Sequence, residues 1–148
     1  MSFATFASDI IVRPDDIDVN AHVHNSRYLD YVLMARYDQM ARCYGMSMEE
    51  FLKLGYSWVN SATYIEYKRP VVMGDVAIVR TRVGEMREKG VRVEFEILRR
   101  ATGKIVADGW QDYVMVSVAN GRAIPIPEQI RMIYSIPANA AEDGTTTT

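Results

Sequence analysis

Asp16, Asp18, Asn20, His22 and His24 stand at alternate positions in the stretch Asp16-Ile17-Asp18-Val19-Asn20-Ala21-His22-Val23-His24-Asn25. Both histidines of the chain fall here, among carboxylates and amides. Several chemistries compete for that density. Asp-x-Asp-x-Asn opens a calcium loop of the EF-hand type, but Ala21 stands where that loop needs Gly and Arg27 where it needs Glu. A transition metal would take His22 and His24 with Asp16 or Asp18, yet no cysteine or third histidine joins them. Turn and cap chemistry accounts for Asp15, Asp16 and Asn25 and leaves the histidines beside Asp18 unexplained. Acyl transfer is the fourth reading. A carboxylate acts as base or nucleophile, and the N–H groups at a helix start polarise a carbonyl oxygen as it gains charge. A thioester suits so small a kit, because its thiol leaves with a pKa near that of cysteine, about 8.5.

These residues need elements to hold them. Ser8 to Val12 is β-branched and meets Pro14, which predicts a short strand. Asn25 or Ser26 is the expected cap of a helix running to about Tyr44, with Gly45 after it. Tyr28, Leu29, Tyr31, Val32, Leu33, Met34, Ala35, Tyr37, Met40, Ala41 and Tyr44 cover most of its circumference, so it is buried on several sides. Asp30, Asp38 and Arg42 form its one solvated line. Ser47-Met48-Glu49-Glu50 is a capping box that opens a short helix to about Leu54. Strand patterns follow at Tyr56 to Lys68, Asp75 to Glu85, Val91 to Arg99 and Lys104 to Val118, and Pro127 opens a last helix to Tyr134. Val91, Val93, Phe95 and Ile97 alternate strictly with Arg92, Glu94 and Glu96, the mark of a sheet with one dry face. The fold class is therefore α+β, an antiparallel sheet wrapped around one long helix. Residues 1–136 form a single domain, and the small, polar segment 137–148 is expected to be a disordered tail.

The bulk properties narrow the function classes. A chain of 148 residues with a net charge of -2 gives no electrostatic reason to bind nucleic acid or an anionic membrane. Cys43 is the only cysteine, which excludes an intrachain disulfide and fits a reducing compartment; it is expected to behave as a small buried hydrophobe. The N-terminus has neither a basic region nor a long apolar core, and no apolar run is long enough to span a bilayer. The expected location is the cytoplasm.

The stretch from Asp16 to Tyr28 resembles the active-site motif of the hot-dog thioesterases, both the 4-hydroxybenzoyl-CoA thioesterase-like enzymes and the plant acyl-carrier-protein thioesterases. The plant pattern Asp-Val-Asn-x-His-Val-Asn-Asn is matched at Asp18, Val19, Asn20, His22, Val23 and Asn25. Tyr64-Ile65-Glu66-Tyr67-Lys68-Arg69-Pro70 with Gly74-Asp75 resembles the family's second strand and the turn after it, and Gly103 to Trp110 its last hairpin. The resemblance implies a hot-dog fold and thioester hydrolysis without a cofactor or metal. It implies Asp18 as general base or nucleophile, Asn20 and His22 as polar partners, and the Asn25 N–H as the group that polarises the carbonyl. This chain departs from the pattern at His24, where Asn is usual, and at Ala21, where the bacterial enzymes have Gly. Alanine disfavours a positive φ, so the loop is expected to differ locally. Pro70 replaces a further Glu of the plant enzymes.

Secondary features complete the expectations. Tyr28 is a candidate for the acyl pocket, as are Tyr31, Met34, Trp58 and Trp110, although large apolar residues are core by default. Arg87 and Lys89 flank one turn and are candidates for coenzyme A phosphates, with an ordinary solvated hairpin as the plainer reading. Acyl-CoA and acyl-ACP share a pantetheine arm, so both are candidate substrates. A hydratase is disfavoured, since its Asp-x-Asn-Pro-x-His spacing is absent, and a non-catalytic acyl-thioester-binding module would not need Asp18. The apolar helix and a sheet edge want a second copy, which predicts a homodimer with a continuous sheet and allows a dimer of dimers.

Overall fold

The computed structural model describes residues 2–138. Five strands, β1 (Thr5–Ile11), β2 (Tyr56–Tyr67), β3 (Val76–Met86), β4 (Gly90–Arg99) and β5 (Ile105–Ser117), form one antiparallel sheet in the order β1-β3-β4-β5-β2. Helix α1 (Asn25–Arg42) lies on one face, and α2 (Met48–Lys53) and α3 (Glu128–Tyr134) close one end. The expected α+β wrap is present. The tail begins differently from its expectation: Phe3 pairs with Pro137 and the Ala138 N–H donates to Ser2, while residues 139–148 lie outside the described residues.

The alternation read in the sequence sets which face is dry. Val91, Val93, Phe95 and Ile97 are buried against α1, as are Ala77, Val79, Thr81 and Val83 of β3. Arg92, Glu94 and Glu96 point outward and pair with Asp112, Arg82 and Arg80. Gln39 is fully buried and ties α1 to two strands: its Nε2 donates to Ser8 Oγ at 3.0 Å, and it accepts from the Thr81 hydroxyl. A buried amide with its partners in place fixes the helix on the sheet at one rotation.

Several details differ from expectation, beginning with β1, which starts at Thr5 rather than Ser8. His24, not Asn25 or Ser26, is the cap residue of α1, with extended backbone and no side-chain cap bond. The helix ends at Arg42, and Tyr44 instead closes a further turn by donating its N–H to the Gln39 carbonyl. The solvated line of α1 is wider than expected, because Leu33, Met34 and Tyr37 are exposed beside Asp30 and Asp38. The Ser47–Glu50 capping box forms as expected, with the Glu50 N–H donating to Ser47 Oγ at 3.2 Å.

Candidate active site

Residues 13–24 make a compact loop just before α1. Pro14–Asp16 form a 3₁₀ turn where the sequence pattern is irregular. Ile17 then pairs with Val23 across a tight reversal, with the Asp18 N–H donating to the His22 carbonyl at 2.8 Å. His22 pairs with Val72, and the Val23 N–H donates to the Val71 carbonyl. The loop is thus sewn to the segment that leads into β3, at the same end of the sheet where α1 begins.

Asp18 organises the reversal through one oxygen. Its Oδ1 accepts the Asn20 N–H at 2.9 Å and the His22 N–H at 3.2 Å, an Asx-type turn. Neither bond uses Oδ2. Partial desolvation pushes the Asp18 carboxyl up, but the His22 and Asn20 amides and the His24 and His22 side chains hold it below its ordinary 3.8. Asp18 is therefore an anion at neutral pH. The reversal also requires a positive φ at Ala21, +62°. The expectation that Ala21 would steer the loop away from such a backbone is corrected: the cross-loop bonds impose it despite the Cβ. A left-handed alanine costs about 1–2 kcal/mol, so Ala21→Gly is expected to stabilise the fold by about 1 kcal/mol. A urea-unfolding midpoint that does not rise would show that the strain is absent.

Asp16 serves a different purpose. It is fully buried, and its Oδ2 accepts the Tyr31 hydroxyl at 2.6 Å and the Arg13 N–H at 3.0 Å. Its carbonyl accepts the His24 N–H at 2.9 Å. Asp16 fastens the loop to α1 and is not presented to a substrate.

The start of α1 supplies the other half of the site. Its first amides, those of Asn25 and Ser26, have no intrahelical acceptor by geometry, and no side chain caps them. The Tyr67 hydroxyl of β2 donates to the Asn25 carbonyl at 3.3 Å, a contact the sequence did not suggest. Tyr28 lies in the first turn, close enough for its hydroxyl to feel the Asp18 charge; burial comes first among the causes that raise its pKa. Only 3% of Tyr28 is exposed, and its ring sits 5.2 Å from that of Tyr67. The side chains of Asn20, His22, His24 and Asn25 are exposed around this mouth.

Arg87 and Lys89 are not brought to it within one chain. They follow β3, whose 11 residues span roughly 35 Å and begin at the Asp18 end. Arg87 is also engaged by Glu85 and by Asp112, the latter at 3.4 Å. Among the described residues, no group of three His, Cys, Asp or Glu side chains is arranged to hold a metal ion. No helix of the described residues is long and apolar enough to cross a membrane.

Known proteins resemble this chain in sequence and in fold. The long-chain acyl-CoA thioesterase FadM of Escherichia coli K12 is 25% identical over 124 residues, 84% of this chain and 92% of FadM. A thioesterase of Thermus thermophilus, solved with coenzyme A and Zn, is 27% identical with a TM-score of 0.72, covering 86% of this chain and 95% of that one. The DHNA-CoA thioesterase of Staphylococcus aureus is 16% identical and superposes with a TM-score of 0.84 over 99% of this chain and 98% of its own, a likeness of fold. The hot-dog arrangement expected from the motif is thus the fold of this chain, and a family model for the thioesterase-like superfamily matches residues 12–132. The chain belongs to the thioesterase-like superfamily.

Proposed function

We propose that this protein hydrolyses acyl-CoA thioesters to a free acid and coenzyme A, with Asp18 and the amide start of α1 as the reacting pair. The observation that carries the reading is the ionised Asp18, with Oδ2 outside the loop's own bonds, placed beside an uncapped helix start. The thioester oxygen accepts from the Asn25 N–H, which stabilises the tetrahedral anion. Asp18 then acts in one of two balanced ways. As a nucleophile it bonds to the carbonyl carbon, the thiolate leaves, and water cleaves the resulting anhydride. As a base it takes a proton from water, whose oxygen attacks the same carbon. His22 and Asn20 line the mouth and orient the water.

Thiol release from a panel of acyl-CoAs tests the reading, with acyl-ACPs run beside them because the pantetheine arm is common to both. Turnover of acyl-CoA supports it; binding of acyl-CoA without any thiol release would make the chain a binding module instead. Label in Asp18 after single turnover in ¹⁸O-water identifies the nucleophilic route with water attacking the aspartyl carbonyl, and hydroxylamine trapping of the anhydride detects that route when water attacks the acyl carbon instead.

A two-fold dimer belongs to the same reading. β1 is largely buried, whereas β2 is an exposed sheet edge with Val59, Tyr64 and Tyr67 open to solvent, and Leu33, Met34 and Tyr37 of α1 are open as well. Antiparallel pairing of two β2 edges would cover these surfaces and continue the sheet. It would also reverse the second copy, bringing its 87–89 hairpin to the Asp18 end of the first. Light scattering at micromolar concentration is expected to give the mass of two chains; the mass of one chain would overturn this assembly and, with it, a role for Arg87 and Lys89 in holding coenzyme A.

A further inference from the structure

Arg36 sits where an arginine is costly. It lies on the sheet-facing side of α1 and is only 4% exposed. Its Nη1 is buried with no hydrogen-bond partner among the described residues, and no carboxylate among them lies within ion-pair distance of it. The rings of Tyr113 and Tyr134 lie 5.9 Å from its Cζ and compensate part of the desolvation through cation–π attraction. A guanidinium cannot shed its charge to escape burial.

This residue lines a cavity of about 300 Å³ between α1 and β2, together with Leu33, Met40, Trp58, Gln111 and Tyr113. The amides of the wall have partners. Gln111 Oε1 accepts the Tyr113 hydroxyl at 2.6 Å, and Asn60 Nδ2 donates to the Ala62 and Asp112 carbonyls. Asp30, at the rim, is exposed and faces Arg27 at 3.5 Å. Arg36 Nη1 and Trp58 Nε1 are the donors of this wall without a hydrogen-bond partner among the described residues, and of the two only Arg36 carries a charge. The lining begins at Leu29, one turn past the helix start, and Arg36 is roughly 16 Å from Asn25 along the axis.

We infer that the cavity between α1 and β2 takes an acyl group of medium length whose far end carries a carboxylate, and that Arg36 is the specificity-determining residue that receives it. This rests on the acyl-thioesterase reading above. Arg36 also contacts the Tyr44 hydroxyl, but a plain alkyl chain would leave its Nη1 desolvated and without a partner, whereas a carboxylate accepts a two-pronged hydrogen bond from the guanidinium. A site built to bond a polar group rejects the analogue that lacks it far more strongly than an apolar site rejects an added group.

The test compares suberoyl-CoA with octanoyl-CoA, equal in chain length, in wild type, Arg36→Met and Arg36→Lys. Wild type is expected to favour suberoyl-CoA in kcat/KM by at least about tenfold, and Arg36→Met to lower that ratio by on the order of 10²-fold. Arg36→Lys should retain an intermediate preference. Calorimetry with free suberate and octanoate gives a reading that needs no turnover and no stable Met variant: suberate alone should bind wild type. Suberate binding without hydrolysis of any acyl-CoA would sink the thioesterase reading and leave this inference standing. Octanoyl-CoA turnover with a suberoyl ratio at or below one, or unmoved by Arg36→Met, would overturn the inference and leave the thioesterase. Absence of both turnover and suberate binding would overturn both.

Discussion

Asp18→Asn is expected to lower kcat for acyl-CoA hydrolysis by about 10²–10⁴-fold while the protein folds as before. The reason lies in how the two carboxylate oxygens divide their work. Oδ1 holds the reversal by accepting the Asn20 and His22 amides. An asparagine presents a carbonyl oxygen at the same place, so it keeps both bonds and the Asx turn. It cannot bond to a carbonyl carbon as a carboxylate does, nor take a proton from water. Asp18→Ala removes both functions and should lower the urea-unfolding midpoint as well as activity, because the turn bonds go with the carboxylate. The pair of variants therefore separates chemistry from architecture. Because Asp18 lies below its ordinary value of 3.8, activity should stay flat from neutral pH to about 5. Equal kcat in wild type and Asp18→Asn, by thiol release at saturating acyl-CoA, would remove Asp18 from the reaction. A steep loss of wild-type kcat between about pH 7 and 5 would place the controlling group elsewhere.

The order of strands and helices was readable because burial follows period. β4 alternates from Val91 to Leu98, and its buried set contains every residue of the apolar set read from Val91 to Ile97. The helix start was legible to within a residue. His24 caps it rather than Asn25 because the His24 N–H is already committed to the Asp16 carbonyl, which holds that residue extended. What the sequence could not show is where a side chain goes once the helix face is fixed. Asp16 and Asp18 look alike in the motif, two residues apart. The 3₁₀ turn at Pro14 rotates one into the core and leaves the other at the mouth. Arg36 carried no signal, since an arginine among apolar helix positions reads as solvated. Arg87 and Lys89 looked like phosphate partners because hairpin charges have no address along the sheet until strand directions are known. Cys43 is half-buried, and burial raises its thiol above the usual range, in keeping with an unreactive position.

Asp16→Ala should destabilise the protein by about 3 kcal/mol, the largest loss expected from any single change in the loop. The buried carboxylate accepts from the Tyr31 hydroxyl, on a side chain only 1% exposed, and from the Arg13 amide. Removing it orphans that hydroxyl in the core, which carries most of the cost. The ion pairs to Arg13 and Arg27, both at 3.5 Å, add little because each guanidinium is partly in water. Asp16→Asn keeps an acceptor for Tyr31 and should lose less than half as much. Its acid dependence should change in a defined way. Burial pushes the Asp16 carboxyl up, yet the Tyr31 and Arg13 bonds leave it below 3.8 in the folded state. Its charge therefore contributes stability that is complete above the unfolded value and is lost as pH falls through the lower, folded one. Urea unfolding at fixed protomer concentration should show wild type weakening below about pH 4. Asp38 and Asp112, also held low, contribute to that limb by their Arg42 and Arg92 partners. Asp16→Asn should flatten the part that belongs to Asp16, and an acid limb identical in the two proteins would show that Asp16 is protonated or unpaired in the folded chain. Because Asp16 anchors the reversal that presents Asp18, Asp16→Ala should also lower kcat at temperatures where the variant remains folded. Asp16→Asn should restore much of it, and that rescue distinguishes a positioning residue from one that merely holds the core together.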